Sequence, residues 1–203
     1  MKTRNGWLVS AFLLAAIPVW AGDKVEIGKP APEFALKGLD GKEVKLADLK
    51  GKIVVLEWIN HECPVVNRCQ KAGTMKNTIA KFKDKPVVWL AIDSNSFCED
   101  KEKTEAIKTW VKEQGIGYAY LLDAPGKVGK LYDAKTTPHM FVIDQKGILA
   151  YNGAIDNDAN GNELNKINYV EQAIQSLLDG STVATATTKS YGCTIKYKVA
   201  TGG

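Results

Sequence analysis

Two nearly unbroken apolar runs constrain the fold more than any other feature: Lys52-Ile53-Val54-Val55-Leu56-Glu57-Trp58-Ile59 and Pro86-Val87-Val88-Trp89-Leu90-Ala91-Ile92-Asp93. A strand with one wet face alternates apolar and polar residues, so runs without alternation belong to strands buried on both faces, in a sheet flanked by helices. A polar stretch from about Pro64 to Phe82 follows the first run and reads as one helix. Lys101 to Gln114 follows the second and reads as another, closed by Gly115, the residue that best adopts the left-handed conformation ending a helix. The order is α/β, a central mixed sheet flanked by helices. Asp40-Gly41 marks a hairpin between short strands, and Gln145-Lys146-Gly147 marks another between Phe141–Asp144 and Ile148–Tyr151. Gly126 to Tyr132 suits a short helix, and Asn168 caps a final helix that runs to Leu178, with Gly180 at its end.

Residues 1–21 read as a secretory signal: Lys2 and Arg4, an apolar run from Trp7 to Ile17, and small residues Val19 and Ala21 at the minus-three and minus-one positions. Cleavage after Ala21 would leave one domain over 22–180 and a Thr-, Ala- and Gly-rich tail over 181–203 that carries Cys193. The expected location is outside the cytoplasm, in a bacterial periplasm, with no stable membrane insertion once the signal is gone. The formal charge of +4 includes Lys2 and Arg4, so the mature chain carries about +2. With Arg68 its only arginine, that chain has little to recommend it for nucleic acid or phosphate.

Chemistry concentrates where the first strand meets its helix, at Asn60-His61-Glu62-Cys63-Pro64. Pro64 fits the first helical position, where its missing N–H costs nothing. Cys63 then falls at the N-cap, where free N–H groups and the positive end of the helix dipole favour thiolate over thiol. Cys69, Cys98 and Cys193 are the other cysteines, and an exported protein can pair them. Zinc is disfavoured because no two cysteines have the usual short spacing and the only histidines are His61 and His139. His61 is placed to donate a proton or to stabilise thiolate, whereas Glu62 would oppose it.

These pieces resemble the thioredoxin-like redoxins, in particular the peroxiredoxin-like branch of the AhpC/TSA group. The likeness rests on Ala31-Pro32-Glu33-Phe34, Asn60 to Pro64, Thr137-Pro138-His139-Met140-Phe141-Val142-Ile143-Asp144, Tyr151 to Asp156, and Tyr191-Gly192-Cys193-Thr194-Ile195-Lys196-Tyr197. It implies a thioredoxin fold, Cys63 as the redox-active nucleophile, a cis peptide bond between Thr137 and Pro138 facing it, and no cofactor. Departures bear on the reaction. Val66 stands where thioredoxins have the second cysteine of C-x-x-C. Leu56, Asn60 and Cys63 match the peroxidase pattern P-x-x-x-T-x-x-C in the cysteine alone, and Pro138 stands where the peroxidatic arginine would be.

A cycling Cys63 needs a second sulfur. Cys69 lies six residues along the same helix, about 9 Å of rise and out of disulfide reach unless the first turns unwind. Cys98 follows the second strand and could share its end of the sheet, and a structural Cys69–Cys98 bond is the alternative for that pair. The resemblance makes Gly192-Cys193 a family feature and puts Cys193 first. The expected function is an exported thiol–disulfide oxidoreductase acting on protein thiol or disulfide clients, recharged by a thiol reductant. A thiol peroxidase taking hydrogen peroxide or organic hydroperoxides is the alternative, and a non-catalytic binding module is a third reading. Asp156-Asn157-Asp158-Ala159-Asn160-Gly161 matches half of a calcium loop, but Ile167 replaces the closing glutamate and turn chemistry explains the cluster without metal.

Overall fold

A computed structural model describes residues 25–199; the expected signal segment lies outside them. The two apolar runs become β3 (Ile53–Trp58) and β4 (Val87–Asp93), which lie parallel at the centre of a seven-stranded sheet. Every residue of β3 is buried. On one side, β4 pairs in parallel with β5 (Ala119–Leu122), and β1 (Ala35–Gly38) and β2 (Glu43–Lys45) complete that edge in antiparallel fashion. On the other side, β3 pairs antiparallel with β7 (His139–Ile143), which pairs with β8 (Leu149–Gly153). The hairpin expected at Asp40-Gly41 joins β1 to β2, with Asp40 Oδ1 accepting from the Lys42 N–H.

Strand alternation splits the core into the two faces of the sheet. Val54, Leu56 and Trp58 of β3, with Leu90 and Ile92 of β4, meet Phe34, Tyr132, Phe141 and Ile195 on one face. Ile53, Val55 and Trp89 meet the opposite layer, including Met75, Val170 and Ile174. The helices are α1 (Pro64–Lys71), α2 (Thr74–Lys81), α3 (Lys101–Gln114), α4 (Lys127–Leu131) and α5 (Tyr169–Leu178). α3 ends at Gly115 with φ +59°, as its glycine predicts. The single helix expected over Pro64–Phe82 is instead two. The break is at Gly73, φ +72°, a conformation open to glycine at little cost.

Asn168 Oδ1 accepts from the Glu171 N–H at 2.9 Å, and its Nδ2 donates to Thr78 Oγ1 at 2.7 Å, so this cap also ties α5 to α2. Asn168→Ala should cost about 1–2 kcal/mol, read as a lower urea midpoint with an unchanged slope. No helix among the described residues is long and apolar enough to cross a membrane.

The tail is not a separate appendage. From Ala186 to Tyr197 it runs over the domain as a strap. Asn152 N–H donates to the Ala186 carbonyl at 3.0 Å and Thr188 N–H to the Asn152 carbonyl at 3.1 Å. Further along, β9 (Cys193–Thr194) pairs antiparallel with β6 (Thr136–Thr137). Ile195 is buried in the core, and Tyr197 OH donates to the Ala134 carbonyl at 2.8 Å.

Candidate active site

Cys63 is the N-cap of α1, with Pro64 first in the helix. Its backbone N–H donates to the Asn60 carbonyl at 3.0 Å, and its carbonyl accepts from the Asn67 N–H at 2.9 Å. Asn67 fixes the loop a second time, its Nδ2 donating to the carbonyls of His61 (2.8 Å) and Cys63 (3.0 Å). Trp110 of α3 holds that amide in place through Nε1–H to Asn67 Oδ1 at 2.7 Å. Sequence reasoning did not single out Asn67 or Trp110. The signal available was an amide four residues beyond a capping cysteine, at helical spacing.

β7 enters beside β3 in the register Trp58↔His139, which carries the preceding residues past the tip of β3 to Cys63. The Thr137–Pro138 bond is cis. The Cys63 thiol lies 3.0 Å from the Thr137 carbonyl, to which it can donate, and its Sγ is 2.7 Å from Cys193 Sγ. The β6–β9 register sets the second distance, because Cys193 lies directly opposite Thr137. Gly192 makes that approach possible: at φ +122°, a Cβ on it would sit 2.1 Å from the Thr137 carbonyl oxygen.

The two sulfurs differ in acidity. Burial opposes charge on Cys63, but hydrogen bonds from the Cys193 thiol, the Thr137 side chain and the Val66 and Cys193 N–H groups outweigh it, and Cys63 falls below the usual 9.0. The Thr137 hydroxyl is buried beside the pair without a hydrogen-bond partner of normal geometry, and the Val66 N–H is a free donor of the first turn of α1. Cys193 is pushed up to about 11, by burial first and then by its bond to Cys63. Cys63 is therefore the more acidic sulfur of the pair, and Cys193 the one that holds its proton more tightly.

The remaining expected residues fall in different places. Cys69 is buried in the layer between α2 and α5, and Cys98 is buried beneath α3, its thiol donating to the Asp93 carbonyl at 3.2 Å. Both are free thiols in separate clusters, so the structure does not bring a Cys69–Cys98 pair together. Burial raises both thiols, which keeps them inert. His61 is held below its usual 6.5, again by burial, and stays neutral at physiological pH, so it supplies no positive charge to the thiolate. Glu62 is engaged by Lys103, whose hydrogen bond lowers its pKa despite partial desolvation. His139 is buried as a structural bridge: Nδ1 accepts from the Lys135 N–H at 3.1 Å and Nε2 faces Asn152 Oδ1 at 2.8 Å.

Arg68 points away from this chemistry. Its guanidinium donates to the carbonyls of Ala159 (2.9 Å) and Asp158 (3.0 Å), bracing the 156–161 loop. Lys166 Nζ sits 3.0 Å from Asp156 Oδ2 and 3.4 Å from Asp158 Oδ2, and Tyr191 OH donates to Asp156 Oδ1. One protein cation, Lys166, and a phenol thus occupy the carboxylates that resembled a calcium loop, and no cluster of metal-binding side chains forms among the described residues.

A sheet with this order, carrying a cysteine of lowered pKa at a strand–helix tip beside a cis-proline, defines a thioredoxin-like redoxin. The chain belongs to the AhpC/TSA family, whose model matches residues 27–152. The thiol-disulfide oxidoreductase ResA of Bacillus thuringiensis is 33% identical over 126 residues, covering 62% of this chain and 68% of that protein. The structure of an uncharacterized conserved protein from Geobacillus kaustophilus is 30% identical with a TM-score of 0.76, covering 90% of this chain and 98% of its own. A hypothetical protein from Sinorhizobium meliloti is 27% identical with a TM-score of 0.75, covering 87% and 97%. The family match stops before the strap, and both structural neighbours extend over most of the chain.

Proposed function

We propose that this protein is an exported thiol–disulfide oxidoreductase whose redox couple is Cys63 and Cys193. The observation that carries the reading is the 2.7 Å separation of the two sulfurs, of which Cys63 is the more acidic. Cys63 acts as the nucleophile: its thiolate forms the bond to Cys193 on oxidation and leaves as a stabilised thiolate on reduction. A low leaving-group pKa speeds the second step. ResA, with its thiol–disulfide activity in its name, supports the reaction class. The basic and apolar pattern of residues 1–21 supports export to a periplasm, where disulfide clients and thiol reductants are the natural partners.

Peroxide chemistry has less support. Among the described residues, Arg68 is the one arginine, and it is committed to two carbonyls of the 156–161 loop, so no guanidinium stands ready to polarise a peroxide at Cys63. The test is direct. The purified mature chain, alkylated before and after mild reduction, should yield a reducible Cys63–Cys193 peptide pair, and should catalyse exchange between a dithiol and glutathione disulfide. Hydrogen peroxide consumption with the same dithiol should stay near background. A free Cys63 in the oxidised protein would sink the couple, and rapid peroxide turnover would move the peroxidase reading to the front.

A further inference from the structure

The Cys63 sulfur is sealed. Cys63 is 1% exposed: its sulfur lies between the core cluster under α3, the Thr137 carbonyl and, at 2.7 Å, Cys193 of the strap. Exchange at sulfur requires the incoming thiolate to touch the sulfur it attacks, and no external sulfur can touch Cys63 while the strap is down. Cys193 is only partly buried, at the outer side of the pair.

The strap is also well fastened. Gly192 is packed on the Thr137 carbonyl. Thr136 Oγ1 donates to Ser190 Oγ at 2.9 Å, and Ile195 N–H to the Lys135 carbonyl at 3.1 Å. Lys196 N–H donates to Asn95 Oδ1 at 2.9 Å, and Ser96 N–H returns a bond to the Lys196 carbonyl at 2.9 Å. Lifting it breaks all of these together, so a route that leaves it in place is favoured.

We infer that Cys193, not Cys63, is the sulfur through which external thiols and disulfides exchange with this protein, with Cys63 serving as an internal nucleophile and leaving group that never meets the partner. The inference rests on the Cys63–Cys193 couple. During reduction, a thiolate of a dithiol partner attacks Cys193 Sγ. The partner–Cys193 bond forms, the Cys193–Cys63 bond breaks, and the electron pair leaves on Cys63, whose donors are already in place. The partner's second thiolate then attacks its own first sulfur, closing the partner's disulfide and releasing Cys193, which takes a proton from water. Two electrons pass from the dithiol to the protein disulfide. In the reverse direction Cys193 takes up the client's sulfur, the client's other thiolate departs, and Cys63 attacks Cys193 Sγ to expel the first.

The test uses the full mature chain with glutathione and glutathione disulfide as probes. Oxidised wild-type protein is mixed briefly with glutathione, quenched with acid, and mapped; the mixed disulfide should sit on Cys193. In parallel, Cys193 in Cys63→Ser should take up glutathione from its disulfide about tenfold or more faster than Cys63 does in Cys193→Ser. Adding Gly192→Ala to Cys193→Ser should unseat the strap and raise the Cys63 rate by about tenfold or more. Glutathione on Cys63 in the wild type, a faster Cys63 than Cys193, or no response to Gly192→Ala would each overturn the inference. Each of those results would leave the couple standing if the oxidised wild type holds the Cys63–Cys193 bond. Absence of that bond overturns the couple itself.

Discussion

Cys63→Ser should lower the rate of catalysed thiol–disulfide exchange by about 10³-fold or more, because it removes an intramolecular sulfur nucleophile held 2.7 Å from Cys193 Sγ and leaves only dilute external thiol to resolve the intermediate. The variant should still capture a partner on Cys193 and then stall, so a stable mixed disulfide accumulates. Cys193→Ala should also stop cycling, but for a different reason that titration can see. The Cys193 S–H is the first of the hydrogen bonds that oppose the burial of Cys63. Without it the Cys63 thiol should titrate higher than in the wild type, read from thiolate ultraviolet absorbance against pH. The sign is fixed by the donor: a bond that favours the charged form lowers a thiol's pKa, and its loss raises it. An unchanged midpoint would mean that the α1 N–H groups and Thr137 hold the thiolate alone.

How much of this site the sequence discloses depends on how local each feature is. Cys63 at an N-cap with Pro64 behind it is written in adjacent residues, and so is the end of α3 at Gly115. The break at Gly73 sits in an otherwise helical pattern, where one glycine is a weak stop signal, and the left-handed conformation it adopts is decided by how α2 packs under the sheet. β5 has only four residues, Ala119–Leu122, and acquires its strand identity from β4 alongside. The strap is the least legible part. Its residues show no period because each meets a different partner: Thr188 touches Tyr151 and Ala154, Tyr191 meets Asp156, and Ile195 enters the core. The resemblance placed Cys193 first among candidates for the second sulfur, but the two-residue pairing that seats it opposite Thr137 has no signature in the composition of a Thr- and Gly-rich tail. For the same reason Asn67 and Asn95 went unremarked; their amides matter only through a tryptophan and a strap that are distant in sequence.

The second large effect concerns Glu57, a carboxylate in the middle of β3 with no exposure to solvent. Trp89 Nε1–H and Tyr118 OH donate to its Oε2 at 2.8 and 3.0 Å, while Oε1 is buried without a partner. Burial dominates these two bonds and pushes the group up to about 7 from 4.5. A carboxyl whose folded pKa is raised is a proton sink in the native state. Between pH 4.5 and 7 the folded chain keeps a proton that the unfolded chain has released, so stability from this group is fully present below the lower value and is lost as pH rises through the upper one. The loss is on the order of 3 kcal/mol. Glu57→Gln cannot titrate, and its amide oxygen can accept from both Trp89 and Tyr118. Urea unfolding at a series of pH values should therefore show the wild type losing about 3 kcal/mol relative to the variant from pH 4.5 to above 7. Every other titrating group is common to the two proteins and cancels in the difference. Parallel curves would mean that Trp89 and Tyr118 stabilise the carboxylate as well as water does. A wild-type curve that falls away from the variant's as pH rises would show that the centre of the sheet beneath the redox helix carries a neutral acid through the mildly acidic range and tolerates its charge only at a cost to the fold.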